Sequence, residues 1–271
     1  MASNLGSAAV KRTLLRQLVI TDFKLRYQGS VLGYLWSLFK PLMMFGVLFV
    51  VFTFIIPTGK DVPHFPAYLL LGIVIWTFFT EATTMGLGSI VGRGDLIRKV
   101  NISKLSIVIS AILSAGVNLI INSVVVVMFM LFSGAEVNWL LVPFLPLLFI
   151  ELILLALGLA FILSALYVRF RDFAPIWEII LQVLFYATPI IYPLTLAFNA
   201  SPKIAEVLSL NPLAQIMQDF REILITPVTL TTHEVLPPVF SYVLPISIVL
   251  ILVIGGYIYF KKRAKYFVED L

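Results

Sequence analysis

Phe23–Leu42 reads FKLRYQGSVLGYLWSLFKPL. Lys24 and Arg26 sit among aromatics at its start, and from Leu35 the chain becomes an apolar stretch that continues through Ile56. The order predicts a segment that lies on a membrane surface and turns into one that crosses it. Outward from this junction the same theme persists. Hydrophobic residues make up 61% of the 271 and charged residues only 12%, about half the roughly 25% usual in soluble domains. The apolar residues fall in runs of about twenty, too long for core helices of a soluble fold. One integral membrane domain is expected over 1–271, with a cytoplasmic interface segment at 1–34, spans within 35–260 and a tail at 261–271.

Six spans are predicted: Leu35–Ile56, Ala67–Ile90, Leu105–Phe132, Trp139–Val168, Pro175–Tyr192 and Val239–Phe260. Each is near or above the roughly 20 residues that cross about 30 Å of hydrocarbon. Prolines at 41, 143, 146, 189 and 245 interrupt them, which is tolerated where neighbours satisfy the freed carbonyls. Of the 19 lysines and arginines, all but Lys60, Lys203 and Arg221 fall in the N-terminal segment through Lys40, in the second–third and fourth–fifth loops, or in the tail. The positive-inside rule then places both termini in the cytoplasm. The formal charge of +5 fits contact with anionic lipid rather than nucleic acid, because the basic residues flank apolar runs. No cleavable leader is expected, since the first apolar run is too long for a signal-peptide core.

Ahead of that run, Val10, Leu14, Leu18, Thr21 and Leu25 share an arc of roughly 80° on a helical projection. Leu15, Val19, Ile20 and Phe23 lie outside it. This pattern predicts an interfacial helix that also packs on protein; the alternative is a solvated basic leader.

Residues for enzyme chemistry are scarce. There is no cysteine, and with it no disulfide, thiolate metal site or thiol nucleophile. No HExxH, GxSxG or GxxxxGK[ST] motif and no Asp-x-Asp pair occurs, so neither a metal hydrolase site nor a phosphate-cradling loop is legible. Glu81 and Glu151 fall inside spans, where acids are functional candidates; each reads either as a partner-bonded buried acid or as a conduit-lining one. Glu151 is expected near mid-bilayer. Glu178, in the first turn of the fifth span, is explained by the helix N-terminus. Ser106, Ser110, Ser114, Asn118 and Asn122 recur every fourth residue, a stripe suited to close helix packing, or to lining a wet passage. Ala156, Ala160 and Ser164, and Gly88 with Gly92, repeat the small-residue spacing and read as packing.

Two loops carry further signals. Gly92–Lys104 holds two helix-breaking glycines, Asp95 as a cap, and Leu96-Ile97-Arg98-Lys99. A short apolar-basic helix there is either a docking knob for a soluble partner or a membrane-surface loop. Between the fifth and sixth spans, Ile204–Ile225 (IAEVLSLNPLAQIMQDFREILI) is hydrophobic but too charged to span. It predicts short or re-entrant helices broken at Asn211-Pro212, serving as a gate or as an extracellular cap.

Several of these segments sit within an ordered set: Lys24-Leu-Arg26-Tyr27; Gly29-Ser30-Val-Leu-Gly33-Tyr-Leu-Trp36 with Pro41-Leu42; Trp76, Phe79 and Glu81; Leu96-Ile-Arg-Lys-Val100; Val168-Arg-Phe-Arg171-Asp172; Thr188-Pro189-Ile-Ile-Tyr192-Pro193; and Asn211-Pro212-Leu213 with Phe220-Arg221. In this order they resemble the membrane subunit of bacterial ABC exporters of polysaccharides and polyol phosphates (O-antigen, capsule, teichoic acid and galactan types). The set covers nearly the whole chain. One departure is Ile102-Ser103, where that family often has Phe-Pro after the coupling helix.

The resemblance implies an all-α type-2 ABC exporter fold with a cytoplasmic interface helix, six spans, a coupling helix and re-entrant gate helices before the last span. It implies two copies of this chain working with two separate ATP-binding subunits, so that ATP and Mg are used by the partner and no cofactor is bound here. Asp95, Leu96, Ile97, Arg98, Lys99 and Val100 become the expected ATPase-coupling residues. Lys24, Arg26 and Tyr27 are expected to meet a lipid-phosphate headgroup. Asn211, Pro212 and Arg221 are expected at the outer gate. Trp76, Phe79, Glu81, Phe185 and Tyr186 are conduit candidates, the aromatics offering flat faces to sugar rings or, alternatively, serving as lipid-facing bulk. The expected function is therefore the permease half of a plasma-membrane exporter moving a lipid-linked polysaccharide or polyol-phosphate polymer outward. Export of a drug or simple lipid is the nearest alternative, and a membrane enzyme acting on polyprenyl-linked sugars the next.

Overall fold

In the computed structural model, residues 13–22, 24, 30, 32–56, 62–99 and 102–270 are described; they form helices and turns, with no strand among them. Helix α1 covers 13–22. The first long apolar helix, α2 (Gly33–Ile55), opens in a 3-10 turn and closes in a π turn. Helix α3 (Phe65–Gly88) starts with Pro66 in its first turn, where a missing N–H costs nothing and the fixed φ is already helical. Its entry is set by His64, in the left-handed region at φ 52°, with Nδ1 2.8 Å from the Ser133 carbonyl.

A 3-10 turn over Val91–Arg93 leads into the short α4 (Gly94–Lys99). Helix α5 (Lys104–Ser133) has 30 residues, about 45 Å at 1.5 Å per residue. It ends at Gly134, whose φ of 69° suits a left-handed C-cap. Helix α6 (Leu145–Arg169) follows a 3-10 turn at Val142–Phe144. Then come α7 (Phe173–Ala187), four short helices α8 (Leu194–Ala200), α9 (Pro202–Ser209), α10 (Pro212–Leu224) and α11 (Thr232–Val235), the long α12 (Pro238–Arg263) and α13 (Phe267–Asp270).

Among the described residues, five helices are long and apolar enough to cross a membrane: α2, α3, α5, α6 with its 3-10 turn, and α12. The fifth expected span, Pro175–Tyr192, requires correction. Helix α7 stops at Ala187, 15 residues after it begins, or about 22 Å, short of a 30 Å core. Pro189 is the reason: it pushes the preceding residue out of the α region, and Thr188 is indeed extended at φ −109°, ψ 136°. The fourth expected span also shifts. Trp139–Leu141 form a turn rather than helix, and Pro143 and Pro146 are first-turn residues of helical segments, not interruptions. Glu151 consequently lies in the second turn of α6, halfway between that helix's start and its middle residue.

Helix α3 is the centre of the protomer. It packs along α5 and α6, and α12 packs along the far side of α6. Small residues set these approaches. A Cβ on Gly86 would sit 2.4 Å from the Ala160 Cβ, joining α3 to α6. One on Gly256 would sit 2.5 Å from the Gly158 carbonyl oxygen, so α6 and α12 meet backbone to backbone. Ala156, Ala160 and Ser164 are buried as expected. Gly88 and Gly92 are not packing glycines: nothing lies within 4 Å of a Cβ at either, because both face open space at the end of α3.

Candidate functional site

At the end of the bundle where α1, α4 and α13 meet, one arginine ties three elements together. The Arg93 guanidinium donates from Nη2 to the Asp22 carboxylate of α1 and from Nη1 to Ser110 Oγ on α5, the latter at 3.0 Å. Helix α4 hangs from this point. Ile97 is buried, Leu96 half-buried, and Asp95, Arg98 and Lys99 are exposed. A single apolar anchor thus holds a helix whose charged face points away from the protein. Beneath it, α13 packs Phe267 edge-on to Phe260, with centroids 5.3 Å apart, and the Lys104 ammonium donates to the Ala264 carbonyl. Asp22 and Arg93 were not singled out as site residues. Their spacing in sequence gives no hint of contact, and Arg93 reads there only as one more topology-setting charge. Val100, Arg26 and Tyr27 lie outside the described residues; Lys24 is exposed.

Midway along the bundle, α2, α3 and α5 enclose a polar cleft of about 420 Å³, lined by Ser37, Lys40, Trp76, Glu81, Asn118 and Asn122 among others. Asn118 Nδ2 lies 3.0 and 3.1 Å from the two Glu81 oxygens. Asn122 Nδ2 donates to the Asn118 carbonyl at 2.8 Å and the Ser37 carbonyl at 3.2 Å, linking α5 to α2. Glu81 is thus hydrogen-bonded and borders the cleft. Ser110, Ser114, Asn118 and Asn122 of the α5 stripe are buried, and the two asparagines also line the cleft. Trp76 and Phe79 are buried, Phe185 is half-buried and Tyr186 exposed. Contacts from Trp76 to Phe185 (5.5 Å) and Phe185 to Tyr186 (5.2 Å) form an aromatic ladder from the core to the outer face of α7.

The third cluster holds the bend after α7. Asn211 Nδ2 donates to Thr188 Oγ1 at 2.9 Å while its Oδ1 caps α10 by accepting from the Leu213 N–H at 3.0 Å. Pro212 opens the helix. Arg221, fully buried, donates to the carbonyls of Pro189 (2.6 Å) and Ile190 (2.8 Å), and its guanidinium lies 3.6 Å from the centroid of the Tyr68 ring. Gly72 makes room for it: a Cβ there would sit 2.5 Å from Nη2. The three residues expected at a gate thus converge on one turn. Tyr68 and Gly72 complete the clamp, and neither stands out in the sequence of α3. Glu151 belongs to none of these three; it faces α10, beside Gln215 and Asp219.

The family described as ABC-2 type transporter matches residues 13–225. The chain belongs to the ABC-2 type transporter family. The matched range takes in everything from α1 to α10, including the second and third clusters and the Asp22–Arg93–Ser110 contacts of the first. Among relatives, the O-antigen export system permease protein RfbA of Myxococcus xanthus is 30% identical over 212 residues, covering 78% of this chain and 80% of its own. RfbA of Klebsiella pneumoniae is 28% identical, covering 74% and 76%. The capsule polysaccharide export inner-membrane protein CtrC of Neisseria meningitidis serogroup B is 22% identical, covering 79% and 80%. As an ABC-2 type transporter, the chain places its short exposed α4 and its bent α7–α8 segment at opposite ends of the bundle.

Proposed function

We propose that this chain is the permease subunit of an ATP-driven exporter that moves a lipid-linked polysaccharide, or a polyol-phosphate polymer, from the cytoplasm to the outer side of the plasma membrane. The observation that carries the reading is the family match over residues 13–225 together with polysaccharide-export relatives that cover about four-fifths of the same chain. Nucleotide is hydrolysed by a separate partner, and two copies of the chain form the pathway. Supporting this, α4 presents Asp95, Arg98 and Lys99 outward from a buried Ile97 anchor, the form a docking knob needs.

In this mechanism the partner's ATP-bound and free states contact α4 differently, and that difference in affinity supplies the driving free energy. Arg93 passes the displacement to α1 through Asp22 and to α5 through Ser110. Helix α2 and the α7 bend move against the second copy, opening the pathway beside the Glu81 cleft and the aromatic ladder. The turn after α7 completes a sixth crossing together with α8–α10 as re-entrant elements. Lys24 and Arg26 meet the phosphate of the lipid carrier, and both termini are cytoplasmic.

Co-purification with an ATPase whose turnover rises on adding lipid-linked glycan is the expected result. A chain that purifies alone, or a complex whose ATPase ignores glycan and responds to drugs or simple lipids, would refute the substrate assignment. Because the chain lacks cysteine, single cysteines at Lys203 and Lys262 test the orientation. A membrane-impermeant maleimide added to intact cells stripped of outer barriers should label the first only.

A further inference from the structure

Behind the clamp, on the other face of α10, lies a cluster that the transport pathway does not use. Asp219 and Glu222 of α10 and His233 of α11 bring one ligand atom each to within 4.8 Å of one another. They border a cavity of about 340 Å³ that is also lined by Glu151, Gln215 and Tyr242. His233 Nε2 stands 3.1 Å from Asp219 Oδ1, and its ring stacks on Tyr242 with centroids 3.9 Å apart and planes 17° apart. Helix α11 is itself fixed by a capping box, with the Thr231 N–H donating to Glu234 Oε2 at 3.0 Å. The imidazole is therefore held in place from both its ring face and its backbone.

The charge balance of this cavity is one-sided. Three carboxylates and one imidazole face it, and no lysine or arginine is among its lining residues. The adjacent Arg221 turns the other way, onto Pro189 and Ile190. A second observation concerns Gln215, which is only 3% exposed. Its Nε2 donates to the other Asp219 oxygen, while its Oε1 is buried with no hydrogen-bond partner. An orphaned buried carbonyl oxygen in a cavity rich in carboxylates calls for a cation or another donor, since leaving it bare carries a desolvation cost.

We infer that Asp219, Glu222 and His233 form a binding site for a divalent cation of the zinc class, with the orphaned Gln215 oxygen beside it. Mixed imidazole and carboxylate donors suit such a borderline ion. Tetrahedral bonds of about 2.0–2.2 Å put paired ligand atoms about 3.3–3.6 Å apart; His233 Nε2 and Asp219 Oδ1, at 3.1 Å, are close to this already, and a side-chain movement of about 1 Å brings in Glu222, within 4.8 Å of both. A bound ion would tie α10 to α11. The backbone of the α5–α6 connection already pairs with the end of α10, Glu136 N–H to Ile225 at 2.9 Å and Asn138 N–H to Ile223 at 2.8 Å. The ion would add a cross-link that keeps α10, and hence its clamp on the α7 bend, seated in the closed arrangement.

The test needs neither glycan nor ATPase, so its failure is distinct from failure of the export reading. The full-length chain, purified with a histidine-free affinity tag into lipid nanodiscs and stripped with chelator, is titrated with Zn²⁺ against a competing indicator. The chain has only two histidines, which makes H64Q a matched control. Expected are one ion per chain, at least a tenfold weaker affinity in both H233Q and E222Q, and unchanged affinity in H64Q. Zn²⁺ should raise the melting temperature of the unmutated chain and H64Q but not of H233Q, each compared with its own melt in EDTA. Absence of stoichiometric binding, equal loss in H64Q, or affinity indifferent to H233Q and E222Q would each overturn the site. Binding of Mg²⁺ or Ca²⁺ with no dependence on His233 would overturn the ligand assignment.

Discussion

Replacing Arg221 with methionine keeps much of the side-chain volume and removes the guanidinium. Two carbonyls, those of Pro189 and Ile190, then lose donors at 2.6 and 2.8 Å, and Tyr68 loses the cation 3.6 Å from its ring centroid. Unpairing a buried carbonyl costs about 1–3 kcal/mol, and a desolvated cation–π contact contributes about 2 kcal/mol. Against these losses stands relief from burying a charge that has no carboxylate partner among the described residues, a burden of several kcal/mol. The net loss is expected at about 3 kcal/mol, or roughly 6–12 °C in melting temperature at about 2–4 °C per kcal/mol for a chain of this size. Gly72→Ala should reproduce much of it by a different route, because the new methyl would lie 2.5 Å from Nη2 and displace the guanidinium. Thermal melts of both single variants and of the double variant, in the same detergent, close a mutant cycle. If Gly72 acts through Arg221, the double variant is hardly worse than R221M. Additivity within about 0.5 kcal/mol would refute the clamp, as would an R221M chain that melts like the unmutated one.

Four other outcomes are expected. Gly256→Leu forces side-chain atoms into the Gly158 backbone, which cannot yield as a side chain does; α12 should detach from α6 and become protease-sensitive, whereas Gly255→Leu, facing open space, should be tolerated. Arg93→Ala should leave the melting temperature within a few degrees yet lower glycan-stimulated ATPase activity of the complex severalfold, and the charge swap D22R/R93D should restore part of it. Glu81→Gln keeps a hydrogen-bonding partner for Asn118 and should cost less than about 1 kcal/mol, while Glu81→Leu should cost about 1–3 kcal/mol in thermal melts. Charge reversal of both Lys24 and Arg26 should reduce export in a cell-surface polymer assay; unchanged export would remove their role at the lipid phosphate.

The sequence conveyed most where a signal was local. Long apolar runs announced α2, α3, α5, α6 and α12, and Asn211-Pro212 marked the start of α10 because capping and proline chemistry act within one turn. Glycine pairs and the apolar-basic run gave α4. The end of α7 was overrun because Ile190, Ile191 and Tyr192 continue the apolar composition past Pro189, and hydropathy does not register a backbone that has turned. Contacts between distant elements left no trace. Gly72 with Arg221, and Asp22 with Arg93, are paired only by the fold. Gly88 and Gly92 show the converse error, since helical spacing of small residues is necessary for close approach but does not say which face a neighbour occupies. The Asp219–Glu222–His233 grouping was equally invisible, because its histidine sits on a four-residue helix reached only after a loop.

The contrast between α2 and α3 has a consequence for how the molecule moves. Of the most apolar stretch of α3, 78% is enclosed by the rest of the chain, against 11% for α2. Val47, Phe54 and Ile55 of α2 are each more than half exposed. Hydrocarbon tails are as apolar as leucine, so a helix surrounded by them gains little hydrophobic free energy by exchanging them for another greasy surface. Helix α3 behaves as a fixed spindle, while α2 can swap lipid for a twin subunit or a passing chain at almost level cost. In the exporter proposed above, traffic would therefore reshape the wall of the pathway without disturbing its keel.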